Sequence, residues 1–169
     1  MKPFIGYLAA IAGDGSLIVA GAAESSPGIR FGVARVRADG SIDTPYGLAG
    51  RFASAFSAPA FVSDTRLALQ SDGRIVAMTN YQGLEHGVAF ARFNADGSID
   101  PTFGNGGSIK IPVDGAYLLT PDRSIDAEGR ILGLYLGFET SIPAFRVMRL
   151  TASGQLDSSF GTVGFLVPG

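Results

Sequence analysis

Three segments of this chain can be laid over one another without a gap, and that periodicity restricts the fold more than any single motif does. They read VARVRADGSIDTPYGLAG from Val33, FARFNADGSIDPTFGNGG from Phe90 and VMRLTASGQLDSSFGTVG from Val147. Arg35, Arg92 and Arg149 stand 57 residues apart, as do Gly40, Gly97 and Gly154, then Asp43, Asp100 and Asp157, then Tyr46, Phe103 and Phe160. A fixed period of this size belongs to an array of like structural units, each too small to bury its own apolar face.

The central copy shows what the unit contains. An alternating strand runs into Asn94-Ala95-Asp96-Gly97-Ser98, where Asn opens a type I turn and Gly takes the left-handed position of a bulge. That hairpin sets Phe93 opposite Ile99 and Arg92 opposite Asp100, within reach of a cross-strand ion pair. Further strands are expected at Arg66–Gln70, Arg74–Thr79, Val88–Phe93 and Ser108–Val113, the last either closing this copy or opening the next. The first copy offers Tyr7–Ala12, Ser16–Ala20 and Phe31–Arg37, and the third offers Ser124–Asp126, Arg130–Leu136 and Phe145–Leu150. No segment has a helical period with caps, and 24 glycines and 9 prolines fall at turn spacing, so the fold class is all-β.

Four short strands per period of 57 is the content of one β-propeller blade. The expectation is a single repeat domain over 1–169, with three four-stranded blades at about 1–55, 56–112 and 113–169. Three blades cannot close a ring, which takes four to eight. Three periods come within two residues of the 169 in the chain, so it reads as a whole number of repeats. Head-to-tail pairing of two copies would then complete a six-bladed ring, making a homodimer the expected assembly, with an excised segment of a longer protein or an open solenoid as the alternatives.

On these residues the chain resembles the delta-sixty repeat family, bacterial repeats with a dipeptide DG in the turn and a closing Phe-Gly. The central copy matches that pattern almost throughout, and the likeness extends to the preceding LALQSDGRIVAM. Tyr46, Ser153 and Glu128 are local departures from it. The resemblance implies a propeller-like assembly, often in large surface or exported proteins, with no established catalytic chemistry and no site residues to transfer.

Charge excludes two classes of partner. Thirteen basic and fifteen acidic residues give a net charge of −2, with no cluster of one sign, so neither nucleic acid nor an anionic membrane surface is an expected partner. There is no cysteine, hence no disulfide framework and no thiolate chemistry. Lysine occurs only at Lys2 and Lys110; the arginines suit planar pairing. Met1-Lys2 and the apolar run Phe4–Ala12 have the outline of a leader peptide, but alignment of Ile11 with Leu69 and Ile125 gives that run the work of a repeat strand. No apolar stretch reaches the roughly 20 residues of a spanning helix, so no membrane insertion is expected, and the compartment stays open.

Asn94, Asp96 and Asp100 have oxygen-ligand spacing reminiscent of a calcium loop; the other copies place Arg37, Thr151 and Ser153 at these positions, and turn hydrogen bonding accounts for Asn and Asp. The three Arg–Asp pairs read as structural, with Arg92→Ala expected to lower stability. Tyr46, Phe103 and Phe160 read as core plugs with a close-approach Gly behind each. The loops Glu24–Arg30, Tyr81–His86 and Phe138–Pro143 differ between copies, and Tyr81 and Phe138 are the candidate exposed aromatics for a protein or glycan ligand. His86 is the single histidine, without HExxH, GxSxG or a cysteine. GNGG lacks the GK[ST] ending of a phosphate loop. No catalytic, cofactor-binding or metal-binding residue is therefore nominated, and no cofactor is expected. The expected function is a non-enzymatic scaffold or interaction module; a lectin-like binder is the alternative, and a hydrolase with axial carboxylates ranks last.

Overall fold

A computed structural model describes residues 4–24, 29–47, 57–58, 61–82, 85–114, 117–118, 124–137 and 143–166. Among them every regular element is a strand, and the strands form three four-stranded antiparallel sheets. The first is β1 (Phe4–Ile11), β2 (Leu17–Glu24), β3 (Ile29–Val36) and β4 (Ser57–Ala58). The second is β5 (Phe61–Leu69), β6 (Ile75–Gln82), β7 (Gly87–Phe93) and β8 (Ser108–Pro112). The third is β9 (Tyr117–Leu118), β10 (Ile131–Gly137), β11 (Ala144–Leu150) and β12 (Phe165–Leu166). In each the order in space is the order in the chain. The first strands of successive sheets approach one another, β1 to β5 and β5 to β9. This is the all-β, propeller-type architecture expected from the repeat.

The hairpin register follows from the turn. Gly97 lies at φ +83°, its N–H reaches the Asn94 carbonyl at 2.9 Å, and Asp100 donates to the Arg92 carbonyl at 2.9 Å. Phe93 pairs with Ile99, and Val36 with Ile42 and Leu150 with Leu156 repeat the bridge. A three-residue loop made of a type I turn and its bulge glycine fixes this register.

Apolar residues on β6 and β7 alternate between two cores. Ile75, Ala77, Ala91 and Phe93 pack toward the first sheet with Tyr46 and Val33. Val76, Met78, Val88 and Phe90 pack toward the third with Phe103, Ile131 and Met148. A blade with neighbours on both sides is buried on both faces, so all seven residues of β7 are buried. β10, covered on one side, alternates between buried and half-buried. The period of two is the same; only the number of neighbours differs.

The structure decides one point that the sequence left open and differs from it on another. Ser108–Pro112 pairs with β7 and so closes the second sheet. Ser124–Asp126 is not the first strand of the third sheet: Tyr117–Leu118 pairs with β10, and Ile125 makes a single bridge to Ile131. Ser124 still accepts the Leu132 N–H at 2.7 Å, and residues 119–123, between that contact and Tyr117–Leu118, lie outside the described residues. The turn that follows is closed by the Asp126 carboxylate, which accepts the N–H groups of Glu128 at 3.1 Å and Arg130 at 2.9 Å.

Candidate functional site

The recurring polar residues gather at one end of the blades, on the turns that join first to second strand and on the hairpins that follow the third. In the second blade Arg92 Nε lies 2.7 Å from Asp100 Oδ2, both side chains being 6% exposed. Arg92 Nη2 donates to Thr102 Oγ1 at 3.2 Å, and Nη1 reaches across to the Ala152 carbonyl of the third blade at 2.5 Å. The guanidinium stands 4.8 Å from the Phe103 ring centroid, in cation–π range. Asp100 Oδ1 accepts the N–H and hydroxyl of Thr102 at 3.0 and 2.6 Å. Burial pushes the Asp100 carboxyl up, but the hydrogen bonds from Thr102 and Arg92 outweigh it and bring it down to about 2.

The third blade repeats this unit: Arg149 to Asp157 at 2.7 Å, Ser159 in the place of Thr102, and Phe160 at 4.5 Å from the guanidinium. The first blade varies it. Pro45 stands where Thr102 does and has no N–H to give Asp43. Arg37 binds Asp43 at 2.7 Å, while Arg35 lies 3.4 Å from it and turns toward Asp14 and Ser16.

Each unit also docks its blade on the next. The Tyr46 ring lies flat on the second blade's turn, so close that a Cβ at Gly97 would come within 2.6 Å of it. Gly47 N–H donates to the Asp96 carbonyl at 2.7 Å. Phe103 lies on Gly154 in the same way, 2.7 Å from a Cβ there, and Gly104 N–H donates to the Ser153 carbonyl at 2.7 Å. The aromatic-Gly dipeptide of one copy thus closes on the turn dipeptide of the following copy. Sequence reasoning placed the Arg–Asp pair and the plug, but missed the ring on the turn, the guanidinium over the ring and the bond to the next blade. The common period of all four positions was the available signal.

Between these units lie two equivalent clefts. One, of about 710 Å³, separates the second and third blades and is lined by Asp72, Arg74, Gln70, Asp126 and Glu128. The other, of about 410 Å³, separates the first and second and holds Asp14, Arg35 and Gln70. Their carboxylates are paired: Asp72 with Arg74 at 2.6 Å, Asp126 and Glu128 with Arg130 at 2.7 and 2.8 Å, Asp14 with Arg35. Arg74 holds Asp72 below the usual carboxylate range, and Ser16 does so for Asp14. For Asp126, burial raises and the Arg130 hydrogen bonds more than offset it. Carboxylates so held are ionised acceptors at neutral pH, whereas a glycosidase acid must be raised.

The remaining candidates resolve individually. Asp96 Oδ1 accepts the N–H and hydroxyl of Ser98 at 2.9 and 2.6 Å, and Asn94 Nδ2 donates to Ser98 Oγ at 2.9 Å. With Asp100 turned to Arg92, these three do not converge, and no metal-holding group of His, Asp and Glu occurs among the described residues. His86 is exposed, with Nε2 3.2 Å from Asp114 Oδ1. Tyr81, expected to be exposed, is buried at 1%. It pairs with Gly87, where the missing side chain leaves room, and Lys110 Nζ lies 5.3 Å over its ring. Phe138 lies outside the described residues.

A family model described as a domain of unknown function (DUF5122) β-propeller matches residues 12–44, 70–103 and 134–160, together more than half the chain. The first two segments run from the tight turn through the hairpin, and the third from within β10 to Phe160. The description agrees with the propeller repeat inferred above but does not carry the delta-sixty name. No curated protein matches the chain.

Proposed function

The chain belongs to the β-propeller family of domains of unknown function (DUF5122), and from that membership we propose that it is a non-enzymatic scaffold or protein-interaction module assembled from copies of itself. The observation that carries this is the use made of its polar side chains. The recurrent arginines, aspartates and hydroxyls at the turn end are spent on one another and on neighbouring blades. That is the chemistry of a framework. A catalyst keeps an acid or base poised near neutral pH.

The number of blades supports self-assembly. The three four-stranded sheets among the described residues are one short of the smallest usual ring, and two copies of them would give six, inside the usual range. The lectin alternative draws nothing from Tyr81, which is buried. Light scattering on a sizing column at several concentrations tests the reading. The expected mass is twice the 17.5 kDa of one chain; a mass fixed at one chain up to high concentration refutes it.

A further inference from the structure

The internal contact between blades occurs twice, and each of its halves also occurs once with no neighbouring blade against it among the described residues. On the first blade the turn dipeptide Asp39-Gly40 is equivalent to Asp96-Gly97 and Ser153-Gly154. A Cβ at Gly40 would meet nothing within 4 Å, whereas at the other two it would meet an aromatic ring. The strands around it agree. Leu17 is 38% exposed, while its equivalents Ile75 and Ile131, which face a preceding blade, are 1% and 0% exposed. Val36 is half-buried where Phe93 and Leu150 are buried.

The third blade carries the converse. Phe160 is only half-buried, where Tyr46 and Phe103 are buried. Phe145 is 55% exposed where Val88 is 0%, and Val147 is half-buried where Phe90 is buried. The third blade therefore presents an aromatic-Gly plug and the first blade the turn that such a plug covers. The geometry of the two internal contacts gives the terms of a third.

We propose that copies of this chain join through a seam that repeats the internal blade contact, with Phe160 of one copy lying on the Gly40 turn of the next. Gly161 N–H donates to the Asp39 carbonyl, as Gly104 does to Ser153, and Arg149 reaches the Ala38 carbonyl, as Arg92 reaches Ala152. The occupant of each open face is a second copy, because the face continues an interface the chain already makes within itself. The inference rests on the reading that the chain self-assembles; it adds where.

Gly40→Asn tests it. Asn tolerates the left-handed conformation at Gly40, φ +84°, and its Cβ has open space within one chain, but a Phe160 ring from another copy would collide with it. The expected result is an unchanged melting temperature for the single chain and at least a hundredfold rise in the dissociation constant between copies. Gly97→Asn, whose Cβ meets Tyr46 inside the chain, should instead lower the melting temperature. Phe160→Ala should weaken assembly as Gly40→Asn does. Mixing the two variants should restore pairing, because a mixed pair keeps one seam with Phe160 and Gly40 both native. A wild-type chain that assembles and still assembles with wild-type affinity in both variants overturns the seam alone. A wild-type chain that stays single overturns the self-assembly reading beneath it.

Discussion

Tyr46 occupies a position that the other two copies fill with Phe103 and Phe160, and the extra hydroxyl has a physical cost. The side chain is 3% exposed, and its hydroxyl has no hydrogen-bond partner among the described residues. Burial pushes its ionisation up to about 12, against an opposing effect of Arg35. Replacing it by Phe keeps the ring on Gly97 and removes an unsatisfied polar atom, so Tyr46→Phe should stabilise the chain by about 1 kcal/mol in urea unfolding. The pH dependence has a definite sign. The folded-state ionisation lies above the unfolded value of about 10, so the contribution is fully present below pH 10 and is lost as the pH rises toward 12. Wild type should therefore weaken over that window more steeply than Tyr46→Phe, by roughly 2 kcal/mol at the upper end; parallel curves would contradict the assignment. At this scale the sequence is read well where chemistry is local. Arg92 and Asp100 were placed opposite one another because the hairpin geometry leaves them nowhere else. The burial of Tyr81 is not legible in the sequence, because its cover, Gly87 and Lys110, comes from neighbouring strands whose alignment no local pattern states.

The hairpins and tight turns were legible because each rests on a glycine with positive φ, as at Gly97, Gly40 and Gly154. The long strands were legible in position but not in extent. β5 begins at Phe61, beyond a register shift between Ser63 and Arg66, and an irregularity of that kind breaks the alternation by which a strand is recognised. The two-residue strands β4, β9 and β12 offer too little sequence to show any period. One element carries a strain that the repeat itself exposes. Val163 adopts φ 50°, at the position Gly106 fills in the second copy, and its side chain is exposed. A β-branched residue there costs roughly 1–2 kcal/mol in backbone conformation. Glycine would return about 0.5–1 kcal/mol of that through the greater freedom of the unfolded chain. Val163→Gly should accordingly raise the melting temperature by about 2–4 °C, as read by calorimetry. A fall would mean that Val163 is held by a contact formed only in the assembly, which the same scan on the Phe160→Ala variant would reveal.

At the scale of the whole molecule the period dictates three like sheets, but nothing local dictates what stands beyond the first and the third. That information lies in a comparison of equivalent positions, Leu17 against Ile75 and Phe145 against Val88, and only the folded chain shows which side each faces. If two copies close a six-bladed ring, joining them in one polypeptide should replace association by connection. Between successive sheets the chain uses residues 59–60 and then 113–116, two and four residues. A direct tandem would join Leu166 to the next copy's Phe4 through residues 167–169 and 1–3, which is six. That is ample for a crossing the chain already makes with fewer. The tandem should run as a single particle of about 35 kDa, twice 17.5 kDa, and show no further assembly at high concentration, because its second seam is satisfied within the same molecule. Its melting temperature should not depend on concentration, whereas that of the two-chain ring should rise with it by mass action. Pairing of the tandem into larger species would mean that the same complementary ends build an open chain or a larger ring, since a heterologous contact closes only when its rotation divides the circle.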